Sequence, residues 1–591
     1  MVTKRHLGIF AIALGIGGDI ALLIIGRFGG GAWTGIGPLE AAMLIGGVIV
    51  ALLGLPLLGQ AHKAAARAEP QHKPGRHDHW TWPDRIVAGL AILAFVFYLA
   101  VFITYAIDLF RWPYDYDQGE SFELYDAVLH SQGQWPYRDS STYPFYASNY
   151  PPVFHLLNVL VFPFLGKRLV SGRVLSFIIT LLTSVVIGLT VRRRTGGVIL
   201  PLISGLAYPA SNFVYHLGPL CRQHLTMVFL EVLCVYFIAV SDDEKHSTRN
   251  TAIGLTCLLL AGYAKQLAVF TAAAVFGYLV LRDPPKAVRW LIAFAFVFGA
   301  VFLAINWATN GYWWINTIAA NVNAYLIPQL IGLTRSWSRV HAVLIALALS
   351  MTLYEVYVER LSIYALWFIT AIGTGLMSGK WGAGEAYWVS SVAAAIILSG
   401  FATSRVRQWL IERKLQWTRW LATALPLLYL AQAALMLHMP TAGPVWGPIA
   451  EVLGVKHRSS YADYAYYDSV GYTQVGHLMK PRDYEGGERI LTYVREAEGP
   501  VLSEEAAFSM LAGKQVVTNP TQLLNLYNNG LLDTRNLEAM IRQQAFDLVV
   551  MRAQFYPPPV LAAIGESYGL VEHVPMNGFT YIIMKPLSES E

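Results

Sequence analysis

Apolar runs of roughly 20 residues recur along this chain, and a run of that length matches the hydrocarbon thickness of a bilayer. The clearest is "IVAGLAILAFVFYLAVFITYAIDLF", residues 86–110. Inside a bilayer the main chain must satisfy its own hydrogen bonds, so such runs fold as helices. Composition agrees: 55% of residues are hydrophobic and only 14% are charged, against about 25% charged in a soluble protein. The net charge of +5 does not point to nucleic acid, because the basic residues sit in short clusters between apolar runs, as cytoplasmic loops do. Cys221, Cys234 and Cys257 lie in or beside apolar runs without metal-ligand spacing, which reads as buried, inert thiols.

The expected fold is a polytopic α-helical membrane protein of about 13 spans. Residues 1–85 form an extra N-terminal helical hairpin, spans 7–26 and 39–59, followed by a basic cytoplasmic loop. Residues 86–440 hold the main transmembrane domain. With the N-terminus inside, the long loop 111–168 falls outside, and "PPVFHLLNVLVFPFLG" (151–166) is expected to lie along the interface rather than cross. Further spans fit 171–191, 198–216, 219–240, 250–263, 265–281, 288–305, 338–358, 361–378, 388–404 and 420–438. Arg192–Arg193–Arg194 and the other basic loops then fall on the cytoplasmic side. From about 441 the character changes. Short strand-like runs ("GPVLSEE", "FDLVVMR", "FTYIIMKP") alternate with amphipathic helical runs, so 441–591 reads as an extracytoplasmic α/β domain.

The segment "WPYDYDQGESFELYDAVLHSQGQWPYRD", 112–139, carries six carboxylates against one arginine, directly after a span. Glu123 and Asp126 fit the wet side of an interfacial helix. Asp115, Asp117 and Glu120 cluster around Gly119 at the membrane surface, where an ionised carboxylate facing a cavity serves as a general base. Arg222 and Lys265 lie in or at the edge of apolar spans, where a charge costs about 2.5–3.5 kcal/mol and marks a function. Arg138, Arg173 and Lys380 are further cations near the same face. His155, His216 and His224 lie near it too, without convincing ligand spacing, so no metal site is expected. A divalent ion on Asp115, Asp117 and Glu120 is the alternative.

These residues carry a resemblance. Asp117-Gln118-Gly119, then "GQWPYRD" (133–139), Pro151-Pro152 and Gly172-Arg173 resemble the opening of clan C (GT-C) glycosyltransferases. They are similar to bacterial relatives of protein O-mannosyltransferases and lipid A aminoarabinose transferases. Lys265-Gln266 and "GKWGAGEAYW" resemble later landmarks, so the likeness covers about 86–440. The chain departs where the family has Asp-Glu, here Asp117-Gln118, at His224 in place of an acid, and at Glu385-Ala386 before Tyr387.

The resemblance implies an inverting glycosyltransferase that takes a sugar from a polyprenyl-phosphate donor to an acceptor hydroxyl on lipid, glycan or protein, outside the membrane and without a cofactor. On that reading Asp117, assisted by Glu120 or Asp115, is the catalytic base. Lys265, Arg222, Arg138 and Arg173 hold the donor phosphate, and Asp139, Tyr137, His224, Glu385 and Tyr387 contact substrate. Two alternatives stand beside it: a transporter or flippase of a lipid-linked glycan, and an inactive scaffold of the same fold. A transporter favours charges at the bilayer midplane and matched halves, whereas here the acids gather at one face.

Overall fold

The computed structural model describes residues 80–242, 247–441, 443–455 and 478–587. The expected N-terminal hairpin, its loop up to 79 and the tyrosine-rich stretch 459–477 lie outside those residues. Helix α1 (Trp82–Arg111) starts behind Thr81, whose N–H donates to Asp84 at 2.9 Å, with Pro83 in the first turn. The long segment after it folds into α2 (Glu120–Ser131) and α3 (Val153–Leu165) before α4 (Leu169–Thr195). Then come α5 (Ile199–Ala210), α6 (Asn212–Leu217), α7 (His224–Val240), α8 (Ser247–Ala264), α9 (Val269–Arg282) and α10 (Pro284–Ala308). The next loop contains α11 (Tyr312–Thr317) and leads to α12 (Ile327–Val340), α13 (Ala342–Tyr357), α14 (Ile363–Leu376), α15 (Val389–Glu412), α16 (Gln416–Ala424), α17 (Leu427–Leu435) and α18 (Trp446–Val452).

Among the described residues, four helices are long and apolar enough to cross a bilayer: α1, α4, α10 and Glu385–Glu412, which is α15 with the turn before it. The pair α12–α13, bent by 87°, makes a fifth if counted as one broken span. The expected 13 are not reached on this measure among the described residues. Two expected runs are interrupted, by Pro209 and Ser211 and by Pro426, while the runs expected at 250–263 and 265–281 do part at Lys265. Their pieces are short, and α5 and α7 bury most of their side chains in the protein. The long helices differ in their surroundings. Glu385–Glu412 has 94% of its apolar window buried and forms the centre of the bundle, while α10 has 6% buried and turns outward. Helix α3, at 13 residues, is about 20 Å long, short of a ~30 Å hydrocarbon core.

The chain then builds α19 (Pro481–Glu496), β1 (Val501–Ser503), α20 (Ala506–Leu511), α21 (Pro520–Asn528), α22 (Arg535–Arg542), β2 (Leu548–Met551), α23 (Pro558–Ser567), β3 (Tyr568–Met576) and β4 (Phe579–Pro586). The sheet order is β1-β2-β4-β3, with β1 and β2 parallel and the other pairs antiparallel. This α/β unit clamps the segment that follows α1. The Tyr114 ring stacks on Phe508 at 5.2 Å and lies against Gly487, where a Cβ would come within 2.0 Å of it. The Met479 N–H donates to Asp108 at 2.8 Å.

Candidate active site

The turn from Trp112 to Gly119 is shaped by one buried ion pair. Arg173, from the first turns of α4, sends Nε and Nη2 to the two Glu120 oxygens at 3.0 and 2.7 Å. Its remaining N–H groups reach the carbonyls of Leu109, Trp112 and Tyr114. All five donors of the guanidinium are thus spent. Glu120 also accepts from the N–H of Cys221 at 2.8 Å and of Tyr116 at 2.9 Å. Burial pushes the Glu120 carboxyl up, but Arg173 and these hydrogen bonds outweigh it and leave it below its ordinary value. Both side chains are fully buried. Arg173 therefore has no donor left for a phosphate and Glu120 no face toward substrate, which corrects the roles expected of them.

Asp115 is corrected in the same way. It accepts from the Ser121 N–H at 2.9 Å and hydroxyl at 2.7 Å, is fully buried, and steadies the start of α2. Burial, with the charges of Glu505 and Glu120, pushes its carboxyl well above the usual range. The tip of the β3–β4 hairpin locks this turn from above: Asn577 donates to the carbonyl of Tyr116 at 2.8 Å.

Asp117 differs from its neighbours. Arg222 Nη2 donates to Oδ2 at 2.8 Å, while Oδ1 is buried with no hydrogen-bond partner. The guanidinium also reaches the Gln118 carbonyl. It packs so closely over Gly119, which has φ +90°, that a Cβ there would touch it at 3.4 Å. Gln118, Gly119 and Arg222 line a cavity of about 110 Å³, with Glu123 and Tyr150 on the same wall.

Lys265 stands where the α8 helix breaks, just before the turn Gln266–Ala268. It is buried, its Nζ in contact with His224 Nε2, and it lies 5.1 Å over the ring of Tyr150 and 5.0 Å over that of Tyr387. No carboxylate approaches Nζ within 4.0 Å among the described residues. Lys380 acts on it as a like charge, and burial lowers Lys380 itself to about 8. The Lys265 ammonium and the Arg222 guanidinium thus both act on Tyr150, with Lys380 near enough to Lys265 to repel it. His224 and Tyr387 join the site through this cage.

The other expected residues are more dispersed. Tyr137 donates to the Tyr150 carbonyl at 2.8 Å and packs edge-on against Trp313, and Asp139 caps the Ser141 N–H at 2.9 Å. Tyr137 thus touches the cavity wall through the Tyr150 backbone, and Asp139 holds the local turn. Arg138 lies 6.0 Å from the Tyr146 ring, with Nε and Nη2 buried and unpartnered. Glu385 is paired at 2.6 Å with His216 Nδ1, whose Nε2 is buried without a partner, and Asp117 is among the charges that act on that ring. Among the described residues, the side chains with mutual metal-ligating geometry are Glu123, Asp126 and His155, whose ligand atoms lie within 4.8 Å of one another, rather than Asp115, Asp117 and Glu120. Hydrogen bonds already engage this trio. His155 Nε2 lies 2.7 Å from Glu123, and Asp126 accepts from Tyr146 at 2.8 Å and from Ser148.

Sequence reasoning missed the far wall of the cavity. Asn519, Thr521 and Phe555, all from the C-terminal unit, line it opposite Gly119, and Phe555 meets Trp381 edge-on at 5.9 Å. The buried Glu504 carboxylate holds the Phe555 loop by accepting the four successive N–H groups of residues 552–555. No local pattern announces contacts between segments about 400 residues apart.

No protein-family model and no curated protein matches the chain. Solved structures do. ArnT from Cupriavidus metallidurans in the apo state superposes with a TM-score of 0.51 at 12% identity, covering 83% of this chain and 98% of that one. The chain has the GT-C fold. ArnT bound to undecaprenyl phosphate gives the same TM-score at 13% identity over 82% and 97%. The archaeal oligosaccharyltransferase AglB from Archaeoglobus fulgidus scores 0.41 at 13% identity over 82% and 74%.

Proposed function

We propose that this chain is an inverting glycosyltransferase that moves a sugar from a polyprenyl-phosphate donor to an acceptor hydroxyl at the end of the bundle covered by the C-terminal unit. One observation carries the reading. A carboxylate with one oxygen unpartnered, Asp117, adjoins a group of buried cations, Arg222 and Lys265, of which Lys265 has no carboxylate counter-ion within 4.0 Å among the described residues. A buried charge without a partner is costly, and here a phosphate would offset it. The solved ArnT with undecaprenyl phosphate supports a polyprenyl-phosphate donor by analogy of fold.

In this mechanism Asp117 Oδ1 takes the proton of the acceptor hydroxyl. The acceptor oxygen bonds to the anomeric carbon from the face opposite the phosphate, and the carbon–phosphate oxygen bond breaks. The electron pair leaves with polyprenyl phosphate, whose gained negative charge Arg222, Lys265 and Lys380 stabilise. Arg offers a fork and Lys a point charge. Arg222 also aims Asp117. Asp117→Asn removes the base, and transfer from a polyprenyl-phosphate sugar by the purified protein is expected to fall about 10²–10⁴-fold, with unchanged elution on size exclusion. Turnover like that of the wild type would reject the assignment. The same assay with a panel of polyprenyl-phosphate sugars identifies the donor.

A further inference from the structure

A second chemically distinctive cavity lies at the opposite end of the bundle. Helix α4 carries Arg173 near its start and Arg194 near its end. The 21 intervening steps put about 31 Å between them, close to a bilayer's hydrocarbon thickness. At that far end, where α4, α7 and α9 finish and α14 begins, a cavity of about 530 Å³ is open to the surroundings. That volume falls in the range of small-molecule sites, about 300–1,000 Å³.

Five arginines line it: Arg193, Arg194, Arg282, Arg360 and Arg405. The lining carboxylates are Asp242 and Glu359, with the buried Glu355 behind Arg194. Five guanidiniums against three carboxylates leave a surplus of two positive charges. The guanidiniums are held in place. Arg194 lies 4.6 Å over Phe401, Arg282 4.9 Å over Tyr278 and Arg405 5.4 Å over Tyr354. Each is also tethered to a carboxylate, at 2.6 Å to Glu355, 2.6 Å to Asp242 and 2.8 Å to Glu359 respectively. A guanidinium has five N–H donors, so one carboxylate does not exhaust it, and stacking fixes its plane before any ligand arrives. The floor is apolar, formed by the buried Met351, Leu361, Ile363 and Phe401. A pinned array of forks above an apolar floor matches a phosphate ester whose other end is apolar or stacks on a ring.

We infer that this cavity is a binding site for a phosphate ester, distinct from the donor site and a membrane thickness away from it. Its position at the ends of membrane-crossing helices makes an anionic lipid headgroup the natural source, and a soluble phosphate ester the other. The purified full chain in detergent is titrated with phosphatidylglycerol or phosphatidylcholine and read by native mass spectrometry. Its thermal unfolding is followed in parallel with inorganic phosphate. A roughly tenfold preference for phosphatidylglycerol is expected, lost in Arg282→Gln/Arg405→Gln and reduced about threefold in Arg360→Gln, a single change in the α13–α14 connection that serves if the double variant misfolds. Stabilisation by inorganic phosphate without a lipid preference, abolished by the same variants, assigns the site to a soluble ester. Equal binding of both lipids with no effect of phosphate overturns the inference. So does a preference or stabilisation that Arg360→Gln and the folded double variant leave intact.

Discussion

Three acids within six residues of one another end in unlike states, and their neighbours decide which. Asp115 is consumed by Ser121 and Glu120 by Arg173, and only Asp117 keeps an oxygen unpartnered. The sequence showed the cluster around Gly119 and, through the resemblance at Asp117-Gln118-Gly119, proposed Asp117 within it. It did not show that Arg173 lies beneath the cluster with every donor spent, because a buried pair and a ligand-binding arginine read alike in one dimension. Arg173→Gln leaves the Glu120 charge buried and poorly compensated, and a stability loss of about 3–5 kcal/mol is expected, measured by denaturant unfolding in detergent. Lys265→Ala should leave the fold in place and weaken donor binding about tenfold or more, read by calorimetry with a polyprenyl-phosphate sugar; unchanged affinity would take Lys265 out of the phosphate site. Asp126 gives a pH signature. Burial, joined by the charge of Glu123, raises its carboxyl to about 6 although His155, Ser148 and Tyr146 pull it down. The folded protein therefore holds a proton there that the unfolded chain releases near 4. Stability from this group is complete below that value and is lost as pH climbs through 6, on the order of 3 kcal/mol. Unfolding temperatures of wild type and Asp126→Asn between pH 4 and 6.5 should show the wild type losing ground to the variant as pH rises.

At the level of elements, the helical runs were readable because hydrophobic length is a strong signal, but the interruptions at Ser211 and Pro426 were not. The 250–281 region was expected as two short spans; it folds as α8 and α9 with the Lys265 break between them, and that break is what delivers the cation. The alternating C-terminal pattern foretold an α/β unit, and a four-stranded sheet is present. That this unit lines the cavity was illegible, since its contacts with the loop after α1 span the length of the chain. Docking can be tested at Gly487. A methyl group there would overlap the Tyr114 ring at 2.0 Å, and both ring and helix are backed by packed neighbours. Gly487→Ala should therefore separate α19 from the loop that carries Asp117 and reduce transfer more than it lowers the unfolding temperature. An unchanged rate would show that the two units need not be joined this closely.

For the whole molecule, the arginine-rich ends of α4, α9 and α15 and the C-terminal unit lie at opposite ends of the bundle. By the positive-inside rule, we propose that the arginines face the cytoplasm and the α/β unit lies outside. Single cysteines introduced at Lys414 and at Glu498 should label from opposite sides of sealed vesicles with a membrane-impermeant maleimide; labelling from one side would refute the expected topology. One further consequence follows from the enclosure of Glu385–Glu412. It is the most enclosed of the crossing helices, and it packs on α4, α5, α7, α13 and α14, all of which leave the ribosome before it. The nascent chain must therefore assemble a ring with a vacant middle and admit its axle late. A message truncated ahead of this helix would yield an inserted but hollow product, a natural substrate for membrane quality-control proteases.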